Sequence, residues 1–259
     1  MEAVNFCGIN FSCLEQEQLF REDDETRFVV TVNAEFIVKA NHNPTFLNII
    51  NDNYATFDGQ IPYFFARLLN SQQHFDKISG SDLIYDACAN AQKNNKSIFL
   101  LGGETKANKL SVEKIRATYG LRVDGYSPPY ENYPFSAKNS QEILNKITEF
   151  KPDFLFVAFG AIKQEYWIHD HLDFLKQHKV RLVVGCGGTF DFVSGQVKRA
   201  PRFMQKAGFE GVWRLLAEPR LFRLRFRRLL ESTRFFGVLY NHHLALGGRH
   251  NGLIRKNRF

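Results

Sequence analysis

Six consecutive apolar residues, Phe154-Leu-Phe-Val-Ala-Phe159, constrain this 259-residue chain more than any other stretch. A run that short, rich in aromatics and closed by Gly160, suits a strand buried on both faces, as strands of a parallel sheet are. Further strand-like runs recur at Phe28–Asn33, Ala55–Gly59, Ser97–Gly103, Leu121–Tyr126 and Val180–Gly185. Helical patterns lie between them: Ala34–Ala40 with Asn33 as cap, Leu83–Lys93 capped by Ser81 or Asp82, and Ala137–Phe150. Strand and helix signals alternate from residue 28 to about 195. That order predicts an α/β fold, a doubly wound, Rossmann-like, mostly parallel sheet. A hydrophobic content of 44% is enough for its core.

Open α/β sheets bind ligands past the carboxyl ends of their strands, so the residues that follow each run carry the functional signal. Lys163-Gln164-Glu165 follow the longest run where a helix begins, which is also what an ordinary strand-to-helix turn looks like. Thr31 and Asn33 alternate with apolar neighbours and share one strand face. Asp58, before Gly59, reads either as a turn residue or as a carboxylate facing the same crevice. Gly102-Gly103, and Gly185 with Gly187, either make tight turns or bring backbone amides close to a phosphate at a helix start. Neither spacing is G-x-G-x-x-G, which argues against a Rossmann-type oxidoreductase. No Asp-x-Asp ends a strand, and no P-loop, Gly-x-Ser-x-Gly or Cys/His nucleophile pattern occurs. His169 and His171 would point about 200° apart on a helix, which is not a metal pair. No metal and no other cofactor is expected.

The net charge of +7 hides an asymmetry. From Lys198 onward 15 Lys and Arg stand against three Glu, a balance of +12; the preceding residues carry 19 basic and 24 acidic side chains, or −5. The chain therefore divides into an α/β body, residues 1–197, and a basic, amphipathic helical appendage, residues 198–259. The tail calls for an anionic partner: phospholipid head groups, nucleic acid or a phosphorylated substrate. Phe209–Leu216 is a short helical pattern ended by Pro219. Beyond it Arg220, Arg223 and Arg227 recur at i, i+3, i+7, and Phe222, Phe226, Leu229 and Leu230 at i, i+4, i+7, i+8. Such a helix either lies on a membrane surface or packs on the body with a solvated basic face. No apolar run approaches the ~18 residues of a membrane span. Residues 1–20 contain three Glu and no Lys or Arg, which argues against a signal peptide. Four scattered cysteines fit a reducing cytosol.

Taken together, Thr31-Val-Asn33, Phe57-Asp58-Gly59, Gly80-Ser-Asp82, Gly102-Gly103, Lys163-Gln164-Glu165, Gly185-Cys-Gly187 with Phe190-Asp191, and Arg199-Ala-Pro201 occur in the order of the WecG/TagA/CpsF glycosyltransferase family, which the chain resembles over nearly its whole length. The resemblance implies an inverting, metal-independent transfer from a UDP-sugar to a polyprenol-diphosphate-linked saccharide, in surface polysaccharide synthesis. It places the protein at the inner face of a bacterial plasma membrane, with a homo-oligomer possible and no nucleic acid as partner. Asp58 matches the family's proposed base, Thr31 and Asn33 its active-site Thr and Asn, and Gln164 the glutamine of its Lys-Gln-Glu motif. Lys77 stands where many members have Arg, Ile162 replaces the usual Pro, Gln60 a small residue or Met, and Gly211 the usual Trp. An acceptor hydroxyl must lose a proton as it attacks, which Asp58 can accept. The departing UDP must meet backbone amides and cations. The glycine turns at Gly102, Gly103, Gly185 and Gly187 are expected to supply amides, and Lys77, Arg199, Arg214, Arg220 and Arg223 charge. Lys163 and Glu165 count among the substrate-binding residues, and Asp191 is expected at the ribose or uracil.

Overall fold

The computed structural model describes residues 2–243. Its strands are β1 (Ala3–Phe6), β2 (Ile9–Ser12), β3 (Arg27–Val32), β4 (Tyr54–Phe57), β5 (Ile98–Gly102), β6 (Val123–Tyr126), β7 (Phe154–Ala158) and β8 (Leu182–Gly185). They form one sheet in the order β1-β2-β4-β3-β8-β7-β5-β6. Every neighbouring pair is parallel except the β1–β2 hairpin at one edge.

The helices of the body are α1 (Ala34–Ala40), α2 (Pro44–Asn51), α3 (Gln60–Leu69), α4 (Gly80–Asn94), α5 (Thr105–Tyr119), α6 (Ala137–Phe150), α7 (Lys163–Asp170), α8 (Leu172–Gln177) and α9 (Thr189–Ser194). Successive strand side chains point to opposite faces. Val30, Val157 and Val183 therefore pack with α1, α2, α6, α7 and α8, whereas Val29, Phe156 and Val184 pack with α4, α5 and α9. With both faces covered, all five residues of β7 are buried, and that is the origin of the apolar run in the sequence.

Caps fix several boundaries. Asn33 Oδ1 accepts from Phe36 N at 3.0 Å and starts α1; Ser136 Oγ accepts from Asn139 N at 3.3 Å and starts α6. Helix α4 begins at Gly80, three residues before the predicted start, because the Ser79 carbonyl already accepts Leu83 N at 2.9 Å. Asp82 does not cap it. Its carboxylate is held by Ser79 Oγ at 2.6 Å and by Arg199.

After β8 and α9 come α10 (Arg202–Lys206), α11 (Glu210–Ala217), a single 3-10 turn at Pro219–Leu221, α12 (Phe222–Thr233) and a helical stretch over 235–243. This C-terminal part is docked on the body. Phe235 is fully buried in the core, its ring 6.2 Å from those of Phe6 and Phe65, and α12 packs on α11 and α1. The remainder of the predicted appendage, residues 244–259, lies outside the described residues. Among the described residues no helix is long and apolar enough to cross a membrane.

Candidate active site

The carboxyl ends of β4, β3, β8, β7 and β5 open into a single cavity of about 770 Å³, and α11 and α12 form its far wall. The chain leaves β5 toward the sheet edge at β6 and leaves β7 toward the centre at β8, so a crevice opens between these neighbours.

Asp58 stands at the mouth of β4, fixed by its N–H to Val32 O at 2.9 Å. Gly59 follows with φ +107°, a conformation open to glycine, and turns the chain into α3. Burial pushes the Asp58 carboxyl up to about 7; Glu210 and Asp82 add to the effect, and Lys77 and Arg199 oppose it. Thr31 and Asn33 line the cavity beside it. Thr31 Oγ1 donates to Gly185 O at 3.3 Å. The Asn33 oxygen is committed to capping α1, which leaves its amide nitrogen for the cavity.

Gln164 lines the cavity and Glu165 lies behind it. Gln164 Nε2 donates to Glu165 Oε1 at 2.7 Å, and Gln164 Oε1 accepts from Gly187 N at 3.1 Å. Gln164 thus holds the turn after β8. Gly185 makes room for the pair: a Cβ there would meet Glu165 Oε1 at 2.5 Å and Gln164 Nε2 at 2.8 Å. Burial pushes Glu165 up to about 7, and its Oε2 has no hydrogen-bond partner among the described residues. Ile162, ahead of α7, has φ +70°, which a proline could not adopt. The turn here therefore differs from one built on proline.

The cations form two groups. Lys77 and Arg199 lie on the Asp58 side, where Arg199 binds Asp82 and donates to Ser81 Oγ at 3.0 Å. On the far wall Glu218 is shared: Arg214 Nε donates to its Oε1 at 2.7 Å, and Arg225 binds its Oε2. Arg214 also sits 3.7 Å from Asp191, which is raised by burial against the pull of Arg214. Arg214 and Arg225 thus face two carboxylates, Glu218 and Asp191. Arg199 Nε, Arg214 Nη2 and Arg225 Nε are buried with no hydrogen-bond partner among the described residues. Buried donors left in this way are what an anionic ligand satisfies.

A family profile described as Glycosyl transferase WecG/TagA/CpsF family matches residues 4–248. The chain belongs to this family. It is a glycosyltransferase. A relative from Bacillus spizizenii, the N-acetylglucosaminyldiphosphoundecaprenol N-acetyl-beta-D-mannosaminyltransferase, is 28% identical over 236 residues, covering 90% of this chain and 86% of its own.

Most of the transferase residues singled out from sequence meet at the cavity: Thr31, Asn33, Asp58, Lys77, Gly103, Gln164, Gly185, Gly187, Asp191, Arg199 and Arg214 all line it. Others do not. Gly102 is covered by Phe159, which a Cβ would approach to 2.8 Å, so its glycine serves packing. Lys163 points elsewhere, with Nζ donating to Glu131 O at 2.8 Å and lying over the Tyr130 ring. Glu165 lies behind Gln164 rather than on the wall, and Arg223 is on the exposed side of α12. The side chain of Arg220 lies outside the described residues. The amides of Gly103 and Gly187 are already engaged, by Ala158 O at 2.9 Å and by Gln164 Oε1 at 3.1 Å. Sequence reading missed Arg225, Arg228, Glu210 and Glu218. The signal was present in the spacing, since Arg214, Glu218, Arg225 and Arg228 fall on one side of two consecutive helices.

Proposed function

We propose that this glycosyltransferase moves a sugar from a UDP-sugar to a polyprenol-diphosphate-linked saccharide, with inversion and without a metal ion, during synthesis of a bacterial surface polysaccharide. N-acetylmannosamine is the first choice of sugar, by analogy with the relative's name, ahead of its uronic acid or a related hexose. One observation carries the reading: Asp58, with its raised pKa, faces the same cavity as three arginines, each with one buried nitrogen that has no hydrogen-bond partner among the described residues.

Asp58 accepts the proton of an acceptor hydroxyl. The oxygen lone pair forms the new bond to the anomeric carbon, the carbon–oxygen bond to the diphosphate breaks, and UDP leaves with that electron pair. Lys77 and Arg199 meet the charge developing on the leaving group. Asn33 holds a sugar hydroxyl, and Thr31 and Gln164 keep the β8 turn in place. Exposed Phe222, Phe226 and Leu230 on α12, beside exposed Arg223 and Arg227, support seating at the inner face of the plasma membrane. The test is a panel of UDP-sugars with a lipid-linked acceptor, run with and without EDTA. The reading expects turnover with one UDP-sugar at an unchanged rate in chelator. Loss of turnover in EDTA that is restored by Mg²⁺ would overturn the metal-free mechanism.

A further inference from the structure

Glu165 is a costly residue where it stands. It is fully buried, yet it is not on the cavity wall. Burial works against its charge; Gln164, the backbone N–H groups of Glu165 and Ile162, and Lys39 on α1 favour it. Its Oε2 has no hydrogen-bond partner among the described residues. The turn that leads to it is strained as well, because Ile162 has φ +70°, a region that β-branched residues seldom occupy. A buried carboxyl with one idle oxygen adds little to the fold, and an apolar residue of the same shape often serves stability as well or better. The reason for a carboxyl at this position lies in what its other oxygen does.

A glutamine amide has two ends of nearly the same shape, and its partners decide which way it points. A carboxylate accepts and does not donate, so the Gln164 end turned toward Glu165 Oε1, at 2.7 Å, is the nitrogen. The oxygen is then left for the Gly187 N–H at 3.1 Å. Reversed, the amide would set its NH2 against the Gly187 N–H and its oxygen against the carboxylate. Gly187 has φ +52° and open space where a Cβ would be, so side-chain packing does not hold it. We propose that Glu165 is a positioning residue for the donor nucleotide: by fixing the amide of Gln164 it holds the turn between β8 and α9, and with it Asp191 in the first turn of α9. This inference rests on the UDP-sugar reading, which puts Asp191 at the ribose or uracil. The same turn begins at Gly185, whose carbonyl accepts from Thr31 Oγ1 at 3.3 Å and whose missing Cβ admits the Gln164–Glu165 pair. Glu165 therefore acts on the cavity through two other residues and touches no ligand itself.

The experiment compares Glu165→Met and Glu165→Gln with the parent enzyme, full length. Met fills nearly the same space without an acceptor, whereas Gln keeps a carbonyl oxygen that can take the place of Oε1. Three quantities are read: melting temperature, UDP affinity by titration calorimetry, and hydrogen exchange of the Gly187 amide in protein labelled with 15N-glycine, where it is one of 18 glycines. Losing one charge-assisted hydrogen bond corresponds to roughly tenfold or more in an equilibrium constant. Glu165→Met is expected to melt at or above the parent temperature, yet to speed Gly187 exchange and weaken UDP binding, each by about that factor. Glu165→Gln is expected to return both toward the parent values. A residue that served packing alone would lose stability and binding together. The assignment is overturned if Glu165→Met keeps UDP affinity and Gly187 exchange within about threefold of the parent. It is equally overturned if Glu165→Met melts well below the parent or does not fold, or if Glu165→Gln is as impaired as Glu165→Met. A parent enzyme that binds no UDP would instead sink the functional reading beneath it, and Gly187 exchange in the unliganded variants would still decide whether Glu165 holds the turn.

Discussion

Asp58 gives transfer a pH dependence whose sign follows from its surroundings. Burial pushes its carboxyl from the ordinary 3.8 to about 7, with Glu210 and Asp82 adding to the rise and Lys77 and Arg199 opposing it. A general base works ionised, and with a pKa of about 7 only about one molecule in eleven is ready at pH 6. The parent's kcat/KM is therefore expected to climb about tenfold per pH unit on the acid limb and to level off above about pH 8. Glu210→Gln removes a negative charge beside the base, so the limb moves to lower pH; Lys77→Gln removes a positive one, so it moves to higher pH. Stability runs the other way. The folded pKa lies above the unfolded one, so the contribution of Asp58 is present below the usual Asp range and is lost as pH rises through about 7. Asp58→Asn is therefore expected to melt above the parent at alkaline pH, a gain that vanishes in acid. The assay is initial rates with a soluble acceptor from about pH 5 to about 9. A flat profile, or a Glu210→Gln limb displaced upward, would refute the reasoning.

Three further variants probe the walls of the site. Phe226→Ser removes an exposed ring from α12 and is expected to weaken binding to anionic vesicles while sparing transfer to a soluble acceptor. Arg214→Ala should do the opposite, because its guanidinium faces the cavity; vesicle sedimentation and soluble-acceptor rates read the two effects. Gly185→Ala drives a Cβ into Glu165 and Gln164, so it is expected to lower both the melting temperature and the rate, with no change in vesicle binding.

The fold was legible wherever burial on both faces wrote itself into the sequence. Strands β3, β5 and β7 are buried throughout and mostly apolar, and α1 carries Asn33 as its cap, so they could be read from the sequence. The β1–β2 hairpin was not legible, since its four-residue strands alternate buried and exposed too briefly to show a period. The position of Asp58 was legible as a strand end followed by Gly59. Its neighbour Glu210 was not, because it comes from α11, more than 150 residues along the chain. The tail read as basic and amphipathic, yet the arginines that point outward and those that face the cavity alternate along one helix. Sequence favoured Arg223, whereas the docking of α12 turns Arg225 inward. Burial of Phe235 against Phe6 and Phe65 is a tertiary contact with no local signature.

The central claim is that Asp58 takes the acceptor's proton. Asp58→Asn keeps the shape of the side chain and removes the base, so single-turnover transfer from the active UDP-sugar to a soluble diphosphate acceptor tests it most directly. The account predicts UDP binding close to that of the parent and transfer slower by roughly 10²-fold or more, the usual scale for a lost general base. Transfer by the Asn variant within a few-fold of the parent rate, with UDP bound normally, would contradict it.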